Sequence, residues 1–418
     1  MTSTSINTCL TTVLLLSAAA SDNVYAEPIK PLVEHIQGGT IIVPGSSQVT
    51  VNPHRVHTDY EVFLSDTGNR ASSPDGKGET AASLACVYGL VQQSSGCDPA
   101  VVTAVSTGGS RVIAIVDAYD DPNAMADLNT YSAQMGLPNV TSQNFQVIYA
   151  AGSKPLQDFT GEWELEESLD IEMAHALAPG AKIILVEAAS ASTDAMMAAE
   201  QVAGQAVANA GGGEVSNSWG MSAVNASLPL YGGYFNQSGV VYLASSGDRP
   251  GVEVPSVFPN VIGAGGTTIK RKKGVYQSQT VWNQTGGGRS DYIARPSYQD
   301  GVSKVVHSAR GVPDVSADAN PQTGPWVYDS IPFQGTTLNW VMVGGTSASA
   351  PMWAAIINAS GRFAASSTDE LGTIYAGLGS NSFVDIQKGL CLNAARGNVR
   401  KGYDLCTGIG TPFGLGGE

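Results

Sequence analysis

From Arg111 onward, short apolar runs rich in β-branched residues alternate with longer stretches of helical periodicity, and this alternation narrows the fold more than any other feature. Val112 to Asp117, Lys182 to Glu187, Val215 to Ser218 and Val240 to Ser245 read as strands. Asn123 to Met135 and Thr193 to Ala210 read as helices, and a further helix follows Ser347. Strands separated by helices of this length need crossover connections, which are right-handed. The expected fold is therefore α/β, a mainly parallel sheet with helices on both faces. With 418 residues, 43% of them hydrophobic, the chain can bury one large core with extensions. No internal repeat interrupts the pattern.

The last of these helices begins in Gly344-Gly345-Thr346-Ser347-Ala348-Ser349-Ala350-Pro351. Two glycines permit a tight turn, and the unpaired amides of a helix start attract developing negative charge. Ser347 is therefore a candidate nucleophile, provided a base activates it. Of the five histidines, His35, His54, His57, His175 and His307, none is followed by glycine, so no His-Gly-Thr stretch presents an imidazole base.

Carboxylates take that place. Leu165, Leu169, Met173, Ala174 and Leu177 recur at helical spacing until Pro179-Gly180 stops the run. On this helix Glu166 and Asp170 lie one turn apart on one face, and Glu167, three residues before Asp170, competes for the same face. Two adjacent carboxyls share a proton and titrate as a unit, which suits a relay beside a serine. His175 is turned off that face and reads as structural. A third acid, Asp248, follows Gly247 at the carboxyl end of the Val240 to Ser245 strand, the edge where open parallel sheets place their sites. In its neutral form it would donate a hydrogen bond to an oxyanion, a role for acid conditions.

These residues resemble the sedolisins, serine-carboxyl peptidases similar in fold to subtilisin. The resemblance covers roughly residues 112 to 412 and rests on an ordered series of motifs. Ile113-Ala114-Ile115-Val116-Asp117-Ala118-Tyr119-Asp120-Asp121-Pro122 comes first, then the helix of Glu166 and Asp170, and then Val215-Ser216-Asn217-Ser218-Trp219-Gly220. Ser246-Gly247-Asp248, Gly286-Gly287-Gly288 and Gly345-Thr346-Ser347 complete it. The resemblance implies Ser347 as nucleophile, Glu166 as general base, Asp170 as its partner and Asp248 as the oxyanion-hole acid. It implies endopeptidase or tripeptidyl-peptidase action on protein or peptide substrates in acid. It also implies structural calcium, held by Asp385, Ile386, Gly402 and Asp404, although Arg400 stands where the family more often has glycine; a carboxylate-capped turn is the other reading of that corner. Sedolisins usually carry a longer folded prosegment, so the stretch 27–109 reads as an N-terminal extension or a remnant of one, before a peptidase domain at 110–418.

The remaining features suit an exported enzyme. Leu10 to Ala20 is apolar but too short to span a bilayer, and Val24-Tyr25-Ala26 offers a cleavage site, so residues 1–26 read as a signal peptide despite lacking an early Lys or Arg. Its removal would take Cys9, leaving Cys86, Cys97, Cys391 and Cys406, whose three possible pairings include the local one of 86 with 97 and 391 with 406. A net charge of −15 argues against nucleic acid or anionic membrane as partner, and a monomer is expected. Lys270 to Gly274 reads as a solvated basic loop. A contrasting function is a catalytically silent relative that binds peptides along the edge near Ser218-Trp219-Gly220.

Overall fold

A computed structural model describes residues 29–48, 54–66, 74, 76–222, 228–392 and 399–417. The expected signal peptide lies outside them. In chain order, four short strands come first: β1 (Leu32–Ile36), β2 (Gly39–Val43), β3 (His57–Thr58) and β4 (Glu61–Ser65). The alternating part follows with β5 (Val112–Ala118), α1 (Ala124–Met135), β6 (Phe145–Tyr149), α2 (Glu162–Leu177), β7 (Lys182–Ala188) and α3 (Thr193–Asn209). Then come β8 (Gly213–Asn217), β9 (Trp219–Ser222), β10 (Val240–Ser245), β11 (Ile262–Lys272) and β12 (Val275–Val281). β13 (Val315–Asp318), β14 (Trp326–Phe333), β15 (Thr336–Gly344) and α4 (Thr346–Ser360) complete the elements that matter for the site.

The central sheet runs β12-β11-β10-β8-β5-β7-β6, with β13 also paired to β11. Every pair in it is parallel except the β11–β12 hairpin. Strand β5 shows why both faces need cover: Ile113 and Ile115 pack with Leu165, Leu169 and Trp353 of α2 and α4, whereas Val112, Ala114 and Val116 pack with Met196, Met197 and Val207 of α3. The period of two along a strand sends successive apolar side chains to opposite layers. Helices α2 and α4 thus share one layer, and their facing sides carry Glu166, Asp170 and Ser347.

A second, five-stranded sheet has the order β1-β2-β4-β15-β14, so the N-terminal strands join strands from the far end of the chain. Both disulfides are the local ones, Cys86–Cys97 and Cys391–Cys406. The expected basic loop at Lys270 to Gly274 is different in the structure. Lys270 to Lys272 end strand β11, only Lys273 and Gly274 make the turn, and Arg271 forms paired hydrogen bonds of 2.7 and 2.6 Å to the buried Glu79. No helix among the described residues is long and apolar enough to cross a membrane.

Candidate active site

Helix α4 starts where strand β15 ends, and Gly345 is the pivot, with φ of 106°. A Cβ there would lie 2.1 Å from the Asp59 carbonyl oxygen and 2.6 Å from Asp248 Oδ2, so only glycine lets those groups approach the helix start. Pro351 inside the helix has no N–H for the carbonyl four residues back, which belongs to Ser347. That carbonyl instead accepts from Ser218 Oγ at 3.1 Å, tying the helix start to the β8–β9 junction. Ser347 is fully buried, and its hydroxyl donates to the Ser218 carbonyl at 3.2 Å.

All of α2 is buried, including Glu162, Glu164, Glu166, Glu167, Asp170 and Glu172, so its acidic face is no solvated surface. Burial raises Glu166 well above the usual carboxyl range, and Asp170 and Asp117 push it further, while the nearby Ser347 hydroxyl favours its charged form. Asp170 is raised by burial and then by Asp117, with Ser218 and Glu166 acting in the opposite sense. Burial alone lifts Asp117 to about 8. None of the oxygens of Asp117, Glu166 or Asp170 closes a well-directed hydrogen bond, and the serine proton points to the Ser218 carbonyl. Ser347 and Glu166 are neighbours with no well-directed hydrogen bond between them, and hydrogen bonds in active sites often tighten only when substrate binds.

The structure also separates Glu166 from Glu167. Glu167 feels Asp121, Glu187, Asp117 and Glu164, whereas the Ser347 hydroxyl acts on Glu166. His175 sits on the helix with Nε2 2.8 Å from the Pro138 carbonyl, away from the serine, as its sequence position suggests. Asp248 follows β10 in the expected loop. Its Oδ1 accepts from the Thr346 amide and hydroxyl at 2.7 and 2.9 Å, while buried Oδ2 has no hydrogen-bond partner among the described residues. Burial, then Asp59 and Glu61, raises it well above the usual range, so it holds a proton that Oδ2 can donate.

Sequence reasoning missed several residues at this centre. Asp117 ends an apolar strand at the same sheet edge as Asp248, and that position was its signal. Asp59 had none: its amide donates to Ser347 Oγ at 3.1 Å and its carbonyl accepts from the Ser347 amide at 3.0 Å across 288 positions of sequence. Nearby, His57 Nδ1 lies 3.3 Å from Asp59 and Nε2 3.4 Å from Glu253. His57, Asp59 and Glu253 are the one such trio at metal-binding spacing among the described residues. Because the two ring nitrogens face different carboxylates, the trio fits an imidazolium between two acids and not three ligands on one ion. Burial lowers the His57 pKa, but the two acids outweigh it and hold the ring charged.

At the corner where calcium was expected, Asp385 Oδ2 accepts from the Gly402 amide at 2.9 Å and from Gln387 at 2.8 Å. Asp404 Oδ1 takes the Cys406 and Thr407 amides and the Thr407 hydroxyl, and among the described residues Oδ2 takes only the Arg400 amide, at 3.2 Å. The capped turn therefore exists, yet a carboxylate offers about four acceptor sites, and Asp404 Oδ2 is lightly used. The Arg400 residue is exposed. The oxygen donors fit a hard cation in kind.

No family model matches the sequence. Kumamolisin from Bacillus sp. (strain MN-32) is 30% identical over 345 residues, covering 74% of this chain and 59% of the relative. Sedolisin from Pseudomonas sp. (strain 101) is 26% identical over 349 residues, covering 74% of this chain and 56% of the relative. The chain thus matches less than two thirds of the length of either. A solved structure of Pseudomonas sedolisin, a serine-carboxyl proteinase complexed with two molecules of pseudo-iodotyrostatin, superposes with a TM-score of 0.64 at 24% identity, over 81% of this chain and 96% of that one. That structure shares the subtilisin-like architecture described above. The two sequence relatives make this chain similar to the sedolisins over 74% of its length, and the solved structure shows that it shares their fold.

Proposed function

We propose that the chain is an acid-acting serine-carboxyl endopeptidase, exported from the cell, that hydrolyses peptide bonds through an acyl-enzyme on Ser347. One observation carries this reading: a buried serine at a helix start has Glu166 beside it and the unpartnered Asp248 Oδ2 on its amide side. In the proposed cycle Glu166 takes the hydroxyl proton, with Asp170 sharing the charge that would otherwise stay buried on one group. The Ser347 amide and neutral Asp248 stabilise the oxyanion. The proton then passes to the leaving amine, and water reverses the steps. Export is supported by the two disulfides, which persist in oxidising compartments.

Hydrolysis of an unfolded protein, measured across pH, tests the mechanism. Activity should peak in acid and fall by about 10^4-fold or more in Ser347→Ala and in Glu166→Ala. Activity that survives Ser347→Ala would sink the reading. Calcium belongs to the same proposal, with Asp385, Asp404 and the carbonyls of Ile386 and Gly402 as ligands. An ion held at 100 times its dissociation constant adds about 2.7 kcal/mol. Calcium should therefore raise the melting temperature and a chelator lower it; identical melting in both would remove the ion from the account.

A further inference from the structure

The run Gly286-Gly287-Gly288, so far without a role, ties two loops together beside the nucleophile. The Gly286 amide donates to the Gly247 carbonyl at 2.6 Å and the Gly287 amide to the Gly251 carbonyl at 2.7 Å. A Cβ on Gly286 would lie 2.2 Å from the Ser246 carbonyl oxygen, so this approach needs glycine. The stitched loops carry Gln284 and Arg249 into the wall of one cleft of about 450 Å³, which Asp248 and Glu61 also line. Neither Gln284 nor Arg249 takes part in the proton transfers proposed above.

Strand β4 shows what side chain this wall is built to meet. The Asp59 carbonyl accepts from the Ser347 amide at 3.0 Å, and two residues further on Glu61 pairs with Gly344, at the end of the strand that leads into the helix of the nucleophile. Extended peptides bind by pairing with a strand in this way. A peptide whose scissile carbonyl took the place of the Asp59 carbonyl would therefore put the second residue after the bond where Glu61 stands. That place is enclosed: Glu61 is 3% exposed, and Gln284 Nε2 donates to its two carboxyl oxygens at 3.0 and 3.2 Å. Burial raises the Glu61 pKa to about 7; Glu34 of β1 acts in the same sense, while Gln284 and Arg249 oppose it. In acid Glu61 is thus a neutral acceptor for the amide of Gln284. Arg249 Nη2 donates to the Ser47 carbonyl at 3.1 Å, which fixes the guanidinium at the same wall.

We propose that Gln284 and Arg249 set the preference for the second residue on the leaving side of a substrate's scissile bond, selecting glutamate or glutamine and rejecting lysine. This deepens the peptidase reading above and rests on it. A side chain ending in an acceptor oxygen meets Gln284 Nε2, whereas leucine in the same place would bury that donor unpaired, which costs more than the bond itself is worth. Lysine would bring an ammonium beside the Arg249 guanidinium, and like charges in a partly enclosed cleft repel.

Four peptides that differ only at this position, with Glu, Gln, Leu or Lys, test the proposal when given to the full chain in mild acid, the cut bond being identified by product mass. At the common bond kcat/KM should be about 10-fold or more higher for Glu and Gln than for Leu and Lys. Gln284→Leu should bring Glu and Gln down to the level of Leu and leave Lys poor. Arg249→Ala should raise Lys to the level of Leu and leave Glu ahead. Ratios within one variant cancel any general loss of activity, and the wild-type ranking is a test by itself where a variant does not fold. Equal rates for the four peptides in wild type, or a ranking that either substitution leaves unchanged, overturns the inference while the peptidase reading stands. Hydrolysis of neither the peptides nor an unfolded protein would overturn both.

Discussion

At Asp248 the proposed chemistry turns on a single proton. Thr346 occupies Oδ1 with two hydrogen bonds, so a proton on the acid sits on the unpartnered Oδ2, the oxygen that the proposal turns toward the oxyanion. Its pKa is raised by burial and by Asp59 and Glu61, so the donor persists above the ordinary carboxyl range and is lost as pH rises through the raised value. Asparagine can present an N–H at the same place at every pH. Asp248→Ala should lose about 10^2 to 10^3-fold in turnover, as other oxyanion donors do. Asp248→Asn should keep more of the acid rate and should lose the part of the alkaline decline that Asp248 causes. A pH profile for the asparagine variant that falls where wild type falls would show that the Glu166–Asp170 pair, and not Asp248, sets the alkaline limit. Much of this centre was legible because Ser347, Glu166 and Asp248 each sit at an element end or on a helix face that a one-dimensional pattern reports. Asp59 was not, because its place is set by pairing with strands far along the chain.

At the level of elements, legibility followed the strength of the apolar period. Strands β5, β7 and β10 are buried on both faces, and their continuous apolar runs mark them within a residue or so of their observed ends. Strand β6 went unread because Gln146 and partial exposure break its run on an outer position of the sheet. The β11–β12 hairpin was obscured by Lys270, Arg271 and Lys272, whose charges suggested solvent. Arg271 escapes that rule by meeting the carboxylate of Glu79 and the carbonyls of Cys97 and Gly274, a set of acceptors only tertiary structure supplies. Helix α2 shows the converse. Its apolar residues reveal a helix, but composition cannot tell a solvated acidic face from one enclosed beneath a second helix and a sheet edge. Strands β1, β2 and β4 are short and complete a sheet whose other members lie near residues 326–344, and β3 pairs with β9, so no local pattern announces them.

Across the whole molecule, the buried acids couple folding to pH in one direction. Burial is the leading cause in raising Glu61, Asp121, Glu253 and Glu370 to about 7, Asp117 and Glu214 to about 8, and Glu164 and Glu187 to about 9. Unfolded, such groups titrate near 4, so between about pH 4 and 9 the folded chain binds more protons than the unfolded chain. Stability is therefore fully present below the unfolded values and is lost as pH rises through the folded ones. His57, also raised, acts in the same sense, and His175, lowered by burial, opposes it. Each excess proton on the folded state removes about 1.4 kcal/mol of stability per pH unit. The net charge of −15 at neutral pH adds self-repulsion in the same direction. Thermal melting of Ser347→Ala, chosen so that the proposed peptidase activity cannot degrade the sample during heating, should give its highest midpoint in acid and a steady decline toward pH 8. A midpoint that peaks at neutral pH would mean that the buried acids hold compensating partners when ionised and do not couple folding to pH in this direction. An enzyme of the kind proposed, folded this way, would gain its stability and its working protonation states over the same acid range, because one cause, the burial of carboxyl groups, produces both.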